Sequence, residues 1–182
     1  MKQADTYVVV DLEATCDDRG TIPREETEII EIGAVLVDGR ALTTIAELML
    51  FVRPTLHPIT AFCTQLTTIT PAMVEHAPTF PAAARRLAAF GEGALFCSWG
   101  NYDRNQLAAE AARHGIAPPL GPDHWNLKNA FAKLLGNERL GNREAFARVG
   151  LAPTGTHHRG IDDARNIARL LPYCLRRVPV PG

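Results

Sequence analysis

Two carboxylates separated by one residue, Asp11 and Glu13, follow the apolar run Tyr7-Val8-Val9-Val10. Such a run reads as a buried strand. Side chains two apart on a strand share a face, so Asp11 and Glu13 project together from a strand end. Like charges held side by side repel unless a proton or a cation lies between them. Magnesium and manganese prefer oxygen ligands, and the pair suits such an ion. Taken alone, Asp-x-Glu more often marks a strand-ending Asp and a solvated Glu. Asp103 sits in Ser98-Trp99-Gly100-Asn101-Tyr102-Asp103, and Asp162-Asp163 opens the last helical stretch. Each placement suits an acid at a helix N-terminus without any further role. His158 precedes Asp163 by five residues in a Gly-bounded loop. An imidazole there can accept a proton near neutral pH, although a lone His is more often just an exposed polar residue.

The elements that must position these groups are legible in outline. A strand over residues 7–15 is followed by an irregular acidic loop to residue 28. Residues 29–37 and 42–52 form two more strands around the turn dipeptide Asp38-Gly39, which implies an antiparallel pair. Glu31 interrupts the second strand and, as such residues usually do, is expected to face out; the minority alternative turns it toward Asp11. The spacing predicts helices over residues 58–66, with Pro58 in the first turn, a short turn capped by Thr70, and 79–90. A strand over 94–99 leads to a helix over 102–114, capped by Asn101 and stopped at Gly115. A short extended piece at 124–126 precedes helices over 127–135 and 142–149. The last helix spans about 161–171, where Pro172 interrupts it, and the Pro-rich end is expected to fray. A meander followed by alternating helices and strands is a mixed α/β layer structure, whose sites gather where central strands end.

Composition sets wider bounds. The 182 residues suit one domain with a substantial core. No signal-peptide pattern or membrane-spanning apolar run is present. Cys16, Cys63, Cys97 and Cys174 form no C-x-x-C pair or zinc spacing, which predicts reduced thiols in a cytoplasmic protein. Net charge is −1, yet residues 1–100 carry −6 and residues 101–182 carry +5. This asymmetry fits a basic surface beside an acidic site and ordinary solvated helix faces equally well. Oligomeric state leaves no mark in the sequence.

The order Asp11-x-Glu13, Asp103, His158-x-x-x-x-Asp163 resembles the DEDDh branch of the DEDD 3′–5′ exonucleases. Phe62-Cys63-x-x-Leu66-Thr67-x-Ile69-Thr70 is similar to that family's segment near the terminal nucleotide. Trp99-Gly100-x-x-Asp103 and the stretch from His158 to Ala168 resemble most its Eri-type and KapD-like group. The resemblance runs over residues 7–171. It implies a ribonuclease-H-like fold, a mixed five-stranded sheet flanked by helices, in a single exonuclease domain over residues 1–182. It also implies two Mg2+ or Mn2+ ions held by Asp11, Glu13, Asp103 and Asp163, with His158 as general base. Asp11 would bridge both ions, Glu13 and Asp163 would bind the nucleophile-side ion, and Asp103 would support the second. Asp162 is expected to be structural. Leu12, Phe62, Leu66, Thr67 and Tyr102 would line the substrate site. The implied partner is the 3′ end of single-stranded RNA or DNA, with no membrane involved. Thr68 stands where this group commonly has Gly, which bears on the fit of the terminal nucleotide.

Two other readings compete. Asp11-Leu12-Glu13-Ala14-Thr15 is similar to the Asp-x-Asp-x-Thr of haloacid-dehalogenase phosphatases, but Glu13 is one methylene too long and His158 has no role there. A non-catalytic nucleic-acid-binding or regulatory module on the same fold has no need of all five polar groups. Divalent-metal binding with or without oligonucleotide breakdown separates these possibilities.

Overall fold

The computed structural model describes residues 2–181. Strands β1 (Thr6–Ala14), β2 (Ile29–Asp38), β3 (Thr44–Phe51), β4 (Leu95–Ser98) and β5 (His124–Asn126) form one sheet in the order β3-β2-β1-β4-β5. The meander β1-β2-β3 is antiparallel, whereas β4 and β5 add in parallel beside β1. The helices are α1 (Ala61–Thr67), α2 (Pro71–Val74), α3 (Phe80–Phe90), α4 (Tyr102–Arg113), α5 (Leu127–Ala132), α6 (Asn142–Arg148) and α7 (Gly160–Cys174). This is the mixed five-stranded sheet flanked by helices that the resemblance implies. Among the described residues no helix is long and apolar enough to cross a membrane, and all four cysteines are free.

The strict alternation of β1 decides where the acids go. Val8, Val10 and Leu12 pack with Phe80, Leu87 and Leu107 from α3 and α4. Tyr7 and Val9 pack with Phe131, Phe146 and Ile167 from α5, α6 and α7. Asp11 and Glu13 continue the second row, so they emerge on the face that α7 covers. The N-terminus of α7 meets that row because two glycines let the backbones touch. A Cβ added at Gly33 would lie 2.0 Å from the carbonyl carbon of Gly160, and one added at Gly160 would lie 3.0 Å from the Asp11 carbonyl oxygen. Backbone cannot rotate away from such an overlap as a side chain can. Gly33→Ala is therefore expected to cost about 1–3 kcal/mol or more, measured by denaturant unfolding. A midpoint equal to the wild type would mean that α7 can lift off without loss.

Several local expectations change. The first helix starts at Ala61 rather than Pro58, because the Thr60 hydroxyl accepts from the Cys63 amide and fixes the cap two residues past the proline. Asn101 precedes α4, but its side-chain oxygen accepts from Asn126 Nδ2 instead of capping the helix. α7 continues through Pro172 to Cys174. Proline removes one hydrogen bond, yet Leu170, Leu171, Cys174 and Leu175 are all buried in the core, which holds the last turn in place. The tail does not simply fray: Val180 packs on the same core, and Arg177 donates to the Arg40 carbonyl.

Candidate active site

Asp11 and Glu13 leave the end of β1, and Asp163 occupies the first turn of α7. One carboxylate oxygen from each lies within 4.8 Å of the other two. Glu13 and Asp163 are buried, whereas Asp11 keeps partial solvent access. Asp103 approaches from the opposite layer, at the N-terminus of α4. It is buried, and its Oδ1 accepts from the Leu12 amide at 3.1 Å. The structure thus brings to one end of the central strand the four acids that the resemblance to DEDDh exonucleases groups together.

Their electrostatics follow from that crowding. Burial, then the charges of Asp103, Glu13, Asp163 and Glu31, pushes the Asp11 carboxyl well above its ordinary value. Burial and the neighbouring acids raise Glu13 to about 8. Burial raises Asp103 to about 6, opposed by hydrogen bonds from its own amide, the Leu12 amide and the Ser98 hydroxyl. Crowded buried carboxyls of this kind are relieved by a hard cation as well as by protons. The donor set fits magnesium or manganese.

The loop before α7 is tied to this cluster. The His158 amide donates to Asp163 Oδ2 at 2.8 Å, and His157 Nδ1 lies 3.3 Å from Asp163 Oδ1. His158 has a positive φ of 61°, a conformation uncommon for a residue other than glycine. The loop is anchored by Glu31. Contrary to the expectation that it faces out, Glu31 is fully buried and stands opposite Glu13 in the β1–β2 register. It accepts from Arg159 Nε at 2.9 Å, from Arg159 Nη2 at 3.3 Å and from the Gly160 amide at 3.2 Å. Arg159 also lies over the Phe51 ring. Sequence reasoning missed Arg159, and its one available signal was an acid interrupting an apolar strand. Asp162 points elsewhere, accepting from the Thr156 amide and from Arg165.

The apolar residues expected to meet substrate divide into two groups. Phe62, Leu66 and Tyr102 are exposed. Leu12 is buried in the core, and only its amide reaches the site. Thr67 is fully buried, its hydroxyl donating to the Cys63 carbonyl and accepting from the Ile69 amide. Thr67 therefore shapes the end of α1 from behind rather than offering a surface contact. Thr68 caps that helix at φ 63°, a left-handed position that favours glycine.

The profile of a family described as Exonuclease matches residues 8–171. The chain belongs to this exonuclease family. Human ERI1 exoribonuclease 3 is 31% identical over 178 residues, which cover 91% of this chain and 52% of the relative. Thus the chain spans about half the length of that relative. The Drosophila melanogaster 3′-5′ exonuclease Snipper is 33% identical over 192 residues, covering 91% of this chain and 68% of Snipper. The crystallographic nuclease domain of 3′hExo, a DEDDh family member bound to rAMP, superposes with a TM-score of 0.88 at 25% identity. That match covers 98% of this chain and 97% of the other.

The acid cluster gives this exonuclease-family chain a pH-dependent stability. With Glu13 raised from 4.5 to about 8, the folded protein holds more protons than the unfolded chain between those values. Metal-free stability therefore falls as pH rises from about 4.5 toward about 8. A divalent cation bound there would replace the protons and remove the slope. The melting temperature of chelator-treated protein is expected to drop by about 5–10 °C across this range, and Mn2+ should restore most of it at the alkaline end. A metal-free curve that stays flat would mean that the acids are already ionised and balanced by the protein itself.

Proposed function

We propose that the chain is a metal-dependent 3′–5′ exonuclease that hydrolyses single nucleotides from the 3′-hydroxyl end of RNA or DNA. The observation that carries this reading is the convergence of Asp11, Glu13 and Asp163 oxygens beside the His158 loop, with Phe62, Leu66 and Tyr102 exposed. Two Mg2+ or Mn2+ ions would be held by Asp11, Glu13, Asp103 and Asp163. When bound, they supply charge neutralisation for the scissile phosphate, the nucleophile and the leaving oxygen. Asp11 would hold both, Glu13 and Asp163 would serve the nucleophile side, and Asp103 would support the leaving-group side. His158 accepts the proton of the attacking water. Arg159 and Glu31 keep the His158 loop against β2, and the His158 amide ties that loop to Asp163. Phe62, Leu66 and Tyr102 offer stacking surfaces that tolerate any base.

A site that grips the chain terminus would make the reaction sensitive to the chain end. A buried polar contact to a 3′-hydroxyl is lost or becomes a clash when that oxygen carries phosphate, and the nearby acids repel the added charge. A 5′-labelled single strand should shorten one nucleotide at a time in Mg2+ or Mn2+. A 3′-phosphate should slow it by about 10²-fold or more, while a 5′-phosphate should matter little. The same ladder run on RNA and DNA, single-stranded and duplex, defines the substrate. Rapid cutting of a circular strand, or equal rates on both 3′ ends, would exclude the exonuclease reading. Tight oligonucleotide binding without any breakdown would make the chain a binding module instead.

A further inference from the structure

We propose that His157, His158 and Asp163 form a second metal site, selective for Zn2+, whose occupation blocks hydrolysis. Each of the three side chains offers one ligand atom, and these atoms all lie within 4.8 Å of one another. The cluster of Asp11, Glu13 and Asp163 offers oxygen alone. The second set offers two imidazole nitrogens and one carboxylate oxygen, a combination that suits zinc and leaves its fourth position open.

One ligand pair already has the spacing the ion needs, and the two rings would spread to admit it. A tetrahedral zinc with bonds of about 2.0–2.1 Å keeps its ligand atoms roughly 3.4 Å apart. His157 Nδ1 and Asp163 Oδ1 are 3.3 Å apart. Consecutive side chains normally diverge, but the positive φ of His158 turns the two rings to one side, with centroids 3.9 Å apart. The His158 amide holds the other oxygen of Asp163 at 2.8 Å and so fixes the carboxylate. Both histidines are partly exposed, which gives an ion a way in.

Occupation would have a definite consequence. Zinc takes the imidazole lone pair of His158 that accepts the proton, and it engages the carboxylate that the catalytic ions also need. Magnesium, which favours oxygen ligands, has little affinity for the two nitrogens. The chain would then be active in Mg2+ and silenced by a low concentration of Zn2+ in the same buffer. The inhibitory step rests on the proposed role of His158, whereas the binding itself does not.

The test keeps the whole chain in saturating Mg2+ and titrates Zn2+ against a chromophoric chelator. One equivalent should bind. His157→Asn keeps a polar side chain beside Asp163 but removes an imidazole ligand. It should weaken zinc by at least the about 10–100-fold that loss of a mere supporting contact costs. The zinc concentration that halves the Mg2+-supported rate should rise in parallel, each variant being scaled to its own uninhibited rate. Unchanged zinc affinity in His157→Asn, or binding lost only in Asp11→Asn, would overturn the site. If Mg2+ and Mn2+ support no hydrolysis, the proposed function fails while the chelator titration still decides the zinc site. Should His157→Asn fail to fold, Co2+ added to the wild-type protein in Mg2+ replaces it as the probe. Intense absorption of tetrahedral imidazole-bound cobalt is expected, and only weak octahedral bands would reject the proposal.

Discussion

Asp11→Asn is expected to abolish hydrolysis while making the metal-free protein more stable. The substitution keeps the size of the side chain and removes its charge. Burial and all four neighbouring acids push the Asp11 carboxyl up, so its charge would add to the repulsion within the cluster. In the proposed mechanism it is also the one ligand common to both ions. Loss of one member of a group that acts as a unit disables the whole, so the rate should fall on the order of 10⁴-fold or more. The melting temperature without metal should rise by a few °C toward alkaline pH, where the carboxyl would otherwise ionise among its acidic neighbours and Asn does not. The stabilisation by Mn2+ at alkaline pH should shrink or vanish. Product ladders and thermal melts with and without chelator read out all three effects. Hydrolysis that survives in Asp11→Asn, or in the wild type with excess chelator, would rule out catalysis by these carboxylates.

His158→Ala should behave differently. The turnover is expected to fall by about 10²–10⁴-fold, but the shift of melting temperature by Mn2+ should remain, since Asp11, Glu13 and Asp163 are untouched. The pH profile separates a base from a merely structural loop residue. Burial and the adjacent His157 lower the pKa of His158 below the ordinary 6.5, against the opposing pull of Asp163. A base must be neutral to accept a proton, so the wild-type rate should fall as pH drops through that lowered value. The variant should lack this acidic limb. A variant that keeps the limb at reduced rate would assign the proton transfer to another group and leave His158 as a loop-shaping residue.

The charge asymmetry between the two halves of the chain finds part of its explanation in the fold. Arg159 pairs with Glu31 and Arg165 with Glu47. In both cases a cation of the last helical segment meets an acid of the meander. Part of the positive excess in the second half is therefore spent across the contact between α7 and strands β2 and β3. Arg165 also bonds Asp162, the acid that stands outside the cluster of Asp11, Glu13 and Asp163.

The order of strands and helices and the alternation of β1 were set by local pattern, whereas the grouping of Asp103 and Asp163 with Asp11 and Glu13 was legible only through the resemblance to DEDDh exonucleases. Period-two burial leaves Asp11 and Glu13 only one face to share, and a helix that begins with Asp162-Asp163 after a Gly-bounded loop needs few contacts to be recognised. Tertiary structure decided which neighbours each group meets. Glu31 turned inward because Arg159, 128 residues away, donates to it from the His158 loop, and no local signal reports so distant a partner. Thr67 became buried because its hydroxyl could be satisfied within the turn after α1, leaving Phe62 and Leu66 to face out. Pro172 stayed inside α7 because core burial outweighs one missing backbone hydrogen bond. His157, next in sequence to His158, came to lie against Asp163 only through the left-handed backbone at His158. Periodicity determines the face of an element, whereas pairing between side chains far apart in sequence exists only once the sheet and α7 have closed on each other.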